Sequence, residues 1–394
     1  PGLPDDRLVV TLDMAGQGRT ARLDGYGSWA RRVRRLEALN LFLERSSWRN
    51  ARRRFFEGDA STRRYERLKL GSRHAVLMDM SARPDGPPVR DGKTYSAIAH
   101  LAEDTRAVVA INEGLRSRGL SAPELFEADL ANGFLIIEDL GDALYGRMMN
   151  ERLPVDEQLT AAVSILADLA AQDWPAEVPL PGGGFHALPP YDQGALEIES
   201  ELLLDWFWPL ARGEEASAEA RSSFLAAWRK LWPKVMTGRK TWVLRDYHSP
   251  NLLWLADRQG AARVGIIDTQ DAVLGHPAYD LGSILQDARV EMRTETARDL
   301  LDYYCAYRAS VEADFDEAGF REAFLILTTQ RLTKVLGIFA RLAKRDGKPQ
   351  YLRHIGKLNR YLEANLQAPV LAGIKAWYDA HLPLEMRRQV GLER

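Results

Sequence analysis

Two short apolar runs interrupt an otherwise helical second half of this chain, and each ends on an aspartate. The first, within VLRDYHSPNLLWL, places Asp246 five residues before Asn251. The second, VGIIDTQDA, places Asp268 at the end of an apolar stretch that starts at Val264. A carboxylate at a strand end can point into a cleft, and the loop after it can carry a neutral oxygen ligand. This spacing therefore supplies one ionisable oxygen group, one amide oxygen and a second carboxylate on the neighbouring strand.

Those three groups suit phosphoryl transfer. That reaction needs positioning, charge neutralisation and a carboxylate that accepts a hydroxyl proton. Asp246 is the candidate base. Asn251 and Asp268 are the candidate ligands of Mg²⁺, a hard cation that takes few protein oxygens and shares the phosphates of ATP.

The first half reads differently. Residues 8–12 and 19–24 read as two strands around a Gly16–Gly18 turn. From Ser28 to Arg54 the spacing of Val33, Leu36, Leu39, Leu43 and Trp48 predicts a helix. Its arginines, Arg31, Arg32, Arg34, Arg35, Arg49 and Arg52–Arg54, admit a nucleic-acid reading. The intact apolar stripe and the lack of aromatics within the second cluster favour a solvated face. Strands at 65–70 and 74–80 meet at Gly71-Ser72, and a Pro/Gly-rich loop spans 81–93. A helix is predicted from about Tyr95 to Arg118, ended by Gly119. FEADLANGFLIIEDL is a hairpin with an Asn132-Gly133 turn. The PGGG segment at 181–184 reads as a linker rather than a lid. Gly92-Lys93-Thr94 resembles the end of a phosphate loop, but position 87 is Pro where that pattern needs Gly.

Composition removes other classes. A net charge of −2 over 394 residues gives no global attraction to nucleic acid or membrane. No apolar run is expected to reach the roughly 18 residues of a membrane span. The polar start, PGLPDDRL, is not a signal peptide and lacks Met, so the chain is expected to begin inside a longer gene product. Cys305 is the sole cysteine, which fits a reducing cytoplasm. Beside Tyr303, Tyr304 and Tyr307 it reads as a packing residue rather than a nucleophile.

The paired motifs resemble the catalytic loop and metal-binding aspartate of the protein-kinase-like superfamily, and more specifically the aminoglycoside/choline phosphotransferase family. That resemblance implies an α+β bilobal fold, with a small antiparallel-sheet N-lobe carrying one helix and a larger, mainly helical C-lobe. It implies ATP and Mg²⁺ as cofactors, Asp246 as catalytic residue, and Asn251 and Asp268 as metal ligands. Thr269 and Gln270 replace the Phe and Gly that follow the metal Asp in protein kinases, and Leu244 stands where their catalytic loop has His. Asp280, in AYDLGSIL, matches a residue that braces the catalytic loop.

Further pieces follow in kinase order. GDASTRRYERL (58–68) sits where the Gly-rich loop belongs, so Gly58, Asp59, Ala60, Ser61 and Arg64 are expected at the phosphates. LIIEDLGD resembles the segment that reads adenine, with Glu138, Asp139 and Leu140 as candidates. One piece is missing. The strand AVLMDM carries no Lys to pair with the phosphates, so either another cation such as Arg64 replaces it or nucleotide binding is weakened. A non-catalytic reading stays open on that ground.

The set GDASTRRY, LMDM, EDLGD, RDYHSPN and IDTQDA is similar to the bacterial anomeric kinases of cell-wall recycling, which phosphorylate N-acetylmuramate and N-acetylglucosamine at the 1-hydroxyl. Gln330-Arg331 and GIFARL resemble the C-terminal helices of that group. The alternative is a kinase of aminoglycosides or choline-like amino alcohols. Glu197, Glu199, Glu201 and Asp205 beside Trp206, Phe207 and Trp208 could receive such a cation, or form a surface helix with its own apolar face. Residues 1–30 resemble the tail of the ATPase subunit of the tRNA threonylcarbamoyladenosine machinery, which suggests a fused upstream domain. Residues 31–140 are then expected to bind nucleotide, and 141–394 to catalyse and bind substrate.

Overall fold

The computed structural model describes residues 7–14, 17–24, 26–56, 63–81 and 86–391. Two compact units emerge: Pro1–Ala82 with Leu125–Asp139, and Arg83–Glu124 with Leu140–Arg394.

In the first unit, Arg7–Met14 and Gln17–Asp24 form the predicted hairpin, and the helix Tyr26–Arg45 follows. Five antiparallel strands come next in spatial order: Arg52–Phe56, Arg64–Leu70, Arg73–Asp79, Phe134–Glu138 and Leu125–Asp129. Leu68, Ala75, Leu77, Phe134 and Ile136 pack on Leu39, Leu43 and Trp48. The register is pinned at the Asn132-Gly133 turn. Met80 N–H donates to Gly133 O at 3.0 Å, and a Cβ on Gly133 would lie 2.1 Å from Met80 O.

The predicted helix to Arg54 stops early, at Arg45. Trp48 is 1% exposed, stacks on Phe126 at 5.9 Å and lies under the Arg73 guanidinium. Burying that ring turns the chain, and Arg52–Arg54 becomes an edge strand whose charges face water. The second arginine cluster is therefore not on a helix. Arg35 from the first cluster is committed to Asp79, with Nε 3.0 Å from Oδ1.

The second unit is mainly helical around the helix Glu317–Lys344. By length and composition this helix could cross a membrane, with a mean hydropathy of 1.3 over its best window. It is still not an uninterrupted apolar run of that length, since Arg331 and Lys334 fall within it. Its apolarity is used internally, because 83% of that window is buried. Gly337 lets it touch the π-helical turn Leu203–Phe207: a Cβ there would meet Leu202 backbone at 2.3 Å.

The single helix predicted from Tyr95 is two helices, Tyr95–Ala99 and Thr105–Arg116. His100 adopts a left-handed backbone, and Asp104 caps the second helix by accepting Arg106 N–H at 2.7 Å. The PGGG segment closes a hairpin between Glu177–Pro179 and Phe185–Ala187. Thr94 of the rejected phosphate-loop pattern caps Tyr95–Ala99 through Ala97 N–H. Cys305 is buried, and burial pushes its thiol up to about 11, as expected of a packing residue.

Candidate active site

The site is built on two short hairpins of the second unit. Thr241–Val243 pairs with Val273–Gly275, and Leu252–Trp254 pairs with Val264–Ile266. The segment 244–251 leaves the first hairpin and enters the second. Two buried acids hold its ends. Asp280 accepts Leu244 N–H at 2.6 Å and Arg245 N–H at 2.9 Å. Asp287 accepts Ser249 N–H at 2.9 Å. Asp287 also gathers Arg289 and Val290 N–H, so its own loop is fixed.

Between these braces Arg245 has φ +65°, a left-handed conformation that costs a non-glycine residue on the order of 1 kcal/mol. Its side chain compensates. Nη1 donates to Ala99 O at 2.8 Å, and Nη2 pairs with fully buried Glu199. Leu244, in the place of a catalytic-loop His, is buried and apolar.

Asp246 follows. Its side chain is 42% exposed, while Arg245 and Tyr247 on either side are 2% and 1% exposed. The loop therefore buries its flanks and presents one carboxylate. Burial works to raise its pKa, but His248, Lys334, Arg331 and Arg245 together hold it below the ordinary carboxylate range. His248 Nε2 lies 3.9 Å from Asp246 Oδ1. Burial holds that imidazole below its usual range, so at neutral pH the contact is dipolar.

Asn251 joins the two hairpins. Its Nδ2 donates to Asp246 O at 3.1 Å and lies 3.5 Å from Asp268 Oδ2, and its own O accepts Ile267 N–H at 3.1 Å. Asp268 has φ +63°. Next to it, Thr269 Oγ1 donates to Asn112 Oδ1 at 2.7 Å, which ties the turn to the helix Thr105–Arg116. The structure thus brings Asp246, Asn251, Asp268 and Asp280 together. Among the described residues no group of three His, Cys, Asp or Glu could cage a metal. One amide oxygen and one carboxylate do fit Mg²⁺, which keeps most of its ligands as water and phosphate.

The acidic stretch is neither a surface helix nor an open receptor. Glu197, Glu199 and Glu201 are 4%, 0% and 5% exposed. Glu197 pairs with Arg229 at 2.9 Å, Glu199 with Arg245 and Lys334, Glu201 with Arg90, and Asp205 with Arg221 at 2.7 Å. Its charge is neutralised within the protein.

Gly58, Asp59, Ala60 and Ser61 lie outside the described residues. In the first unit, Arg64 opens its strand opposite Asp79, and Glu138 closes its strand opposite Ala75. Asp139 pairs with Arg67 at 2.9 Å. Leu140 belongs to the second unit, where it lies against Gly265. Sequence reasoning missed Asp287 and gave no role to Arg331. The signal for Arg331 was there: TTQR is a polar run inside a long, largely buried helix.

A five-stranded antiparallel sheet, a mainly helical second unit and a braced Asp-to-Asn loop define a protein of the kinase-like bilobal α+β class. The chain belongs to the phosphotransferase enzyme family, which it matches over residues 52–322. It is 37% identical over 356 residues to the N-acetylmuramate/N-acetylglucosamine kinase of Caulobacter vibrioides, covering 88% of this chain and 96% of that one. It is 32% identical to the enzyme of the same name from Pseudomonas aeruginosa, covering 80% and 84%. Among solved structures, the choline kinase LicA from Streptococcus pneumoniae superposes with a TM-score of 0.52 at 12% identity, covering 86% of this chain and 100% of that one. A choline/ethanolamine kinase family protein from Mesorhizobium loti gives 0.51 at 13%, covering 90% and 99%. Those two likenesses bear on the fold alone.

Proposed function

We propose that this phosphotransferase moves the γ-phosphoryl group of ATP to the anomeric hydroxyl of N-acetylmuramate or N-acetylglucosamine, in the cytoplasm. The observation that carries the reading is the convergence of Asp246, Asn251 and Asp268 on one braced loop pair. The sugar names come from relatives that align over most of both chains.

Asp246 orients the 1-hydroxyl and accepts its proton. The hydroxyl oxygen bonds to the γ-phosphorus as the bond to the bridging oxygen breaks, and ADP leaves with that electron pair. Asn251 and Asp268 would hold Mg²⁺, which neutralises phosphate charge. Asn251 Nδ2 is occupied by the Asp246 carbonyl, so its Oδ1 remains for the cation. The remaining residues on this reading are Gly58–Ser61 and Arg64 at the phosphates and Glu138–Leu140 at adenine. Strand register supports that division. Arg64 pairs with Asp79 and Glu138 with Ala75, so they sit four residues, roughly 13 Å, apart along one strand, comparable to an extended nucleotide.

A panel of N-acetylmuramate, N-acetylglucosamine, choline and an aminoglycoside with ATP and Mg²⁺, read by ³¹P NMR, tests the assignment. A sugar 1-phosphate is expected; product only from the cationic alcohols would replace it. The neutralised acidic stretch argues against those alcohols.

A further inference from the structure

One face of the helix Glu317–Lys344 carries Arg331, Lys334 and Arg341, spaced so that all three lie on one stripe. Two of them are committed. Lys334 Nζ is 2.8 Å from Glu199 Oε1 and 3.2 Å from Tyr279 OH. Arg341 lies over the Tyr95 ring at 5.6 Å. Arg341 also leaves its Nε unpartnered, but Arg331, 4% exposed with its Nη1 buried and unpartnered, has neither an ion pair nor a ring contact among the described residues. The adjacent Gln330 also leaves Oε1 buried and unpartnered.

A guanidinium keeps its charge inside a protein, and burying one with an unsatisfied N–H is unfavourable. Arg331 lies one helical turn before Lys334, whose partner Glu199 also holds Arg245 next to the base, and it attracts both Asp246 and Asp280. It forms no ion pair with either aspartate among the described residues. The acids on the neighbouring helix cannot serve it either, since Glu197, Glu199, Glu201 and Asp205 each have their own cation. What is left unsatisfied near the base is a guanidinium N–H, and the acceptor that completes it most strongly is an anion.

Building on the sugar-kinase reading, we propose that Arg331 is an acceptor-specificity residue: its buried, unpartnered Nη1–H donates to the lactyl carboxylate of N-acetylmuramate when the sugar enters with its 1-hydroxyl at Asp246. N-acetylglucosamine lacks that carboxylate and leaves the guanidinium unsatisfied. The enzyme should therefore favour the anionic sugar.

The test is the ratio of kcat/KM for N-acetylmuramate to that for N-acetylglucosamine. Arg331→Met should lower this ratio about 10- to 100-fold, mostly through KM, as expected when one charge-assisted hydrogen bond is lost. Arg331→Lys should recover part of it. A second measurement avoids any folding defect. The methyl ester of N-acetylmuramate, whose carboxylate is neutralised, should be a poorer substrate of the unaltered enzyme by a similar factor. An unchanged ratio, or a methyl ester turned over as well as the acid, overturns the proposal and leaves the sugar-kinase reading standing. Turnover of neither sugar by the unaltered enzyme overturns both.

Discussion

Asp280 grips the backbone of Arg245: its carboxylate accepts the N–H groups of Leu244 and Arg245 at 2.6 and 2.9 Å, just before the left-handed turn that presents Asp246. Asp280→Asn replaces one of its two acceptors with a donor facing an N–H. The loop should shift, and kcat should fall about 100-fold through misplacement of the base. KM for ATP, measured alongside kcat, should change by only a few fold.

Removing Glu199 tests the ion cluster behind that loop. Glu199 is fully buried between Arg245 and Lys334. Glu199→Gln leaves both cations buried without their partner and should cost about 3–5 kcal/mol, read by urea unfolding.

Acid should dissolve the same cluster. Burial would raise the pKa of Glu199, yet Arg245 and Lys334 bring it down to about 2. A folded value below the unfolded one gives stability that is present above the unfolded pKa and lost as pH falls through the folded one. On the order of 3 kcal/mol should disappear between about pH 4.5 and 2, and the Glu199→Gln variant should lack that part of the acid transition.

Gly337→Ala should also destabilise. The added Cβ would stand 2.3 Å from Leu202 backbone, which cannot move aside as a side-chain tip can. A loss of about 1–3 kcal/mol or more is expected in thermal unfolding.

Metal dependence separates the two candidate ligands from the base. Asp268→Asn should raise the Mg²⁺ concentration needed for half-maximal rate, while Asp246→Asn should lower kcat with that concentration unchanged. Titrating MgCl₂ at saturating ATP checks both.

Much of this was legible in the sequence because the chemistry is local. Asp246, Asn251 and Asp268 sit at strand ends whose apolar runs announce them, and Asn132-Gly133 forces its hairpin. Periodicity failed where tertiary packing overrode it. Trp48 fits the helical stripe yet is buried beyond the helix end, which frees Arg52–Arg54 to pair as a strand. The acidic stretch looked available because its cations, Arg90, Arg221, Arg229, Arg245 and Lys334, come from distant parts of the chain. Charge satisfaction of that kind is a property of the fold, and so is the unsatisfied Arg331.

The most direct test measures phosphoryl transfer from ATP to N-acetylmuramate by the unaltered protein and by Asp246→Asn, with folding checked by circular dichroism. The account predicts sugar 1-phosphate from the first and a rate lower by roughly 10²–10⁴ from the second. Full activity in a folded Asp246→Asn protein would contradict it.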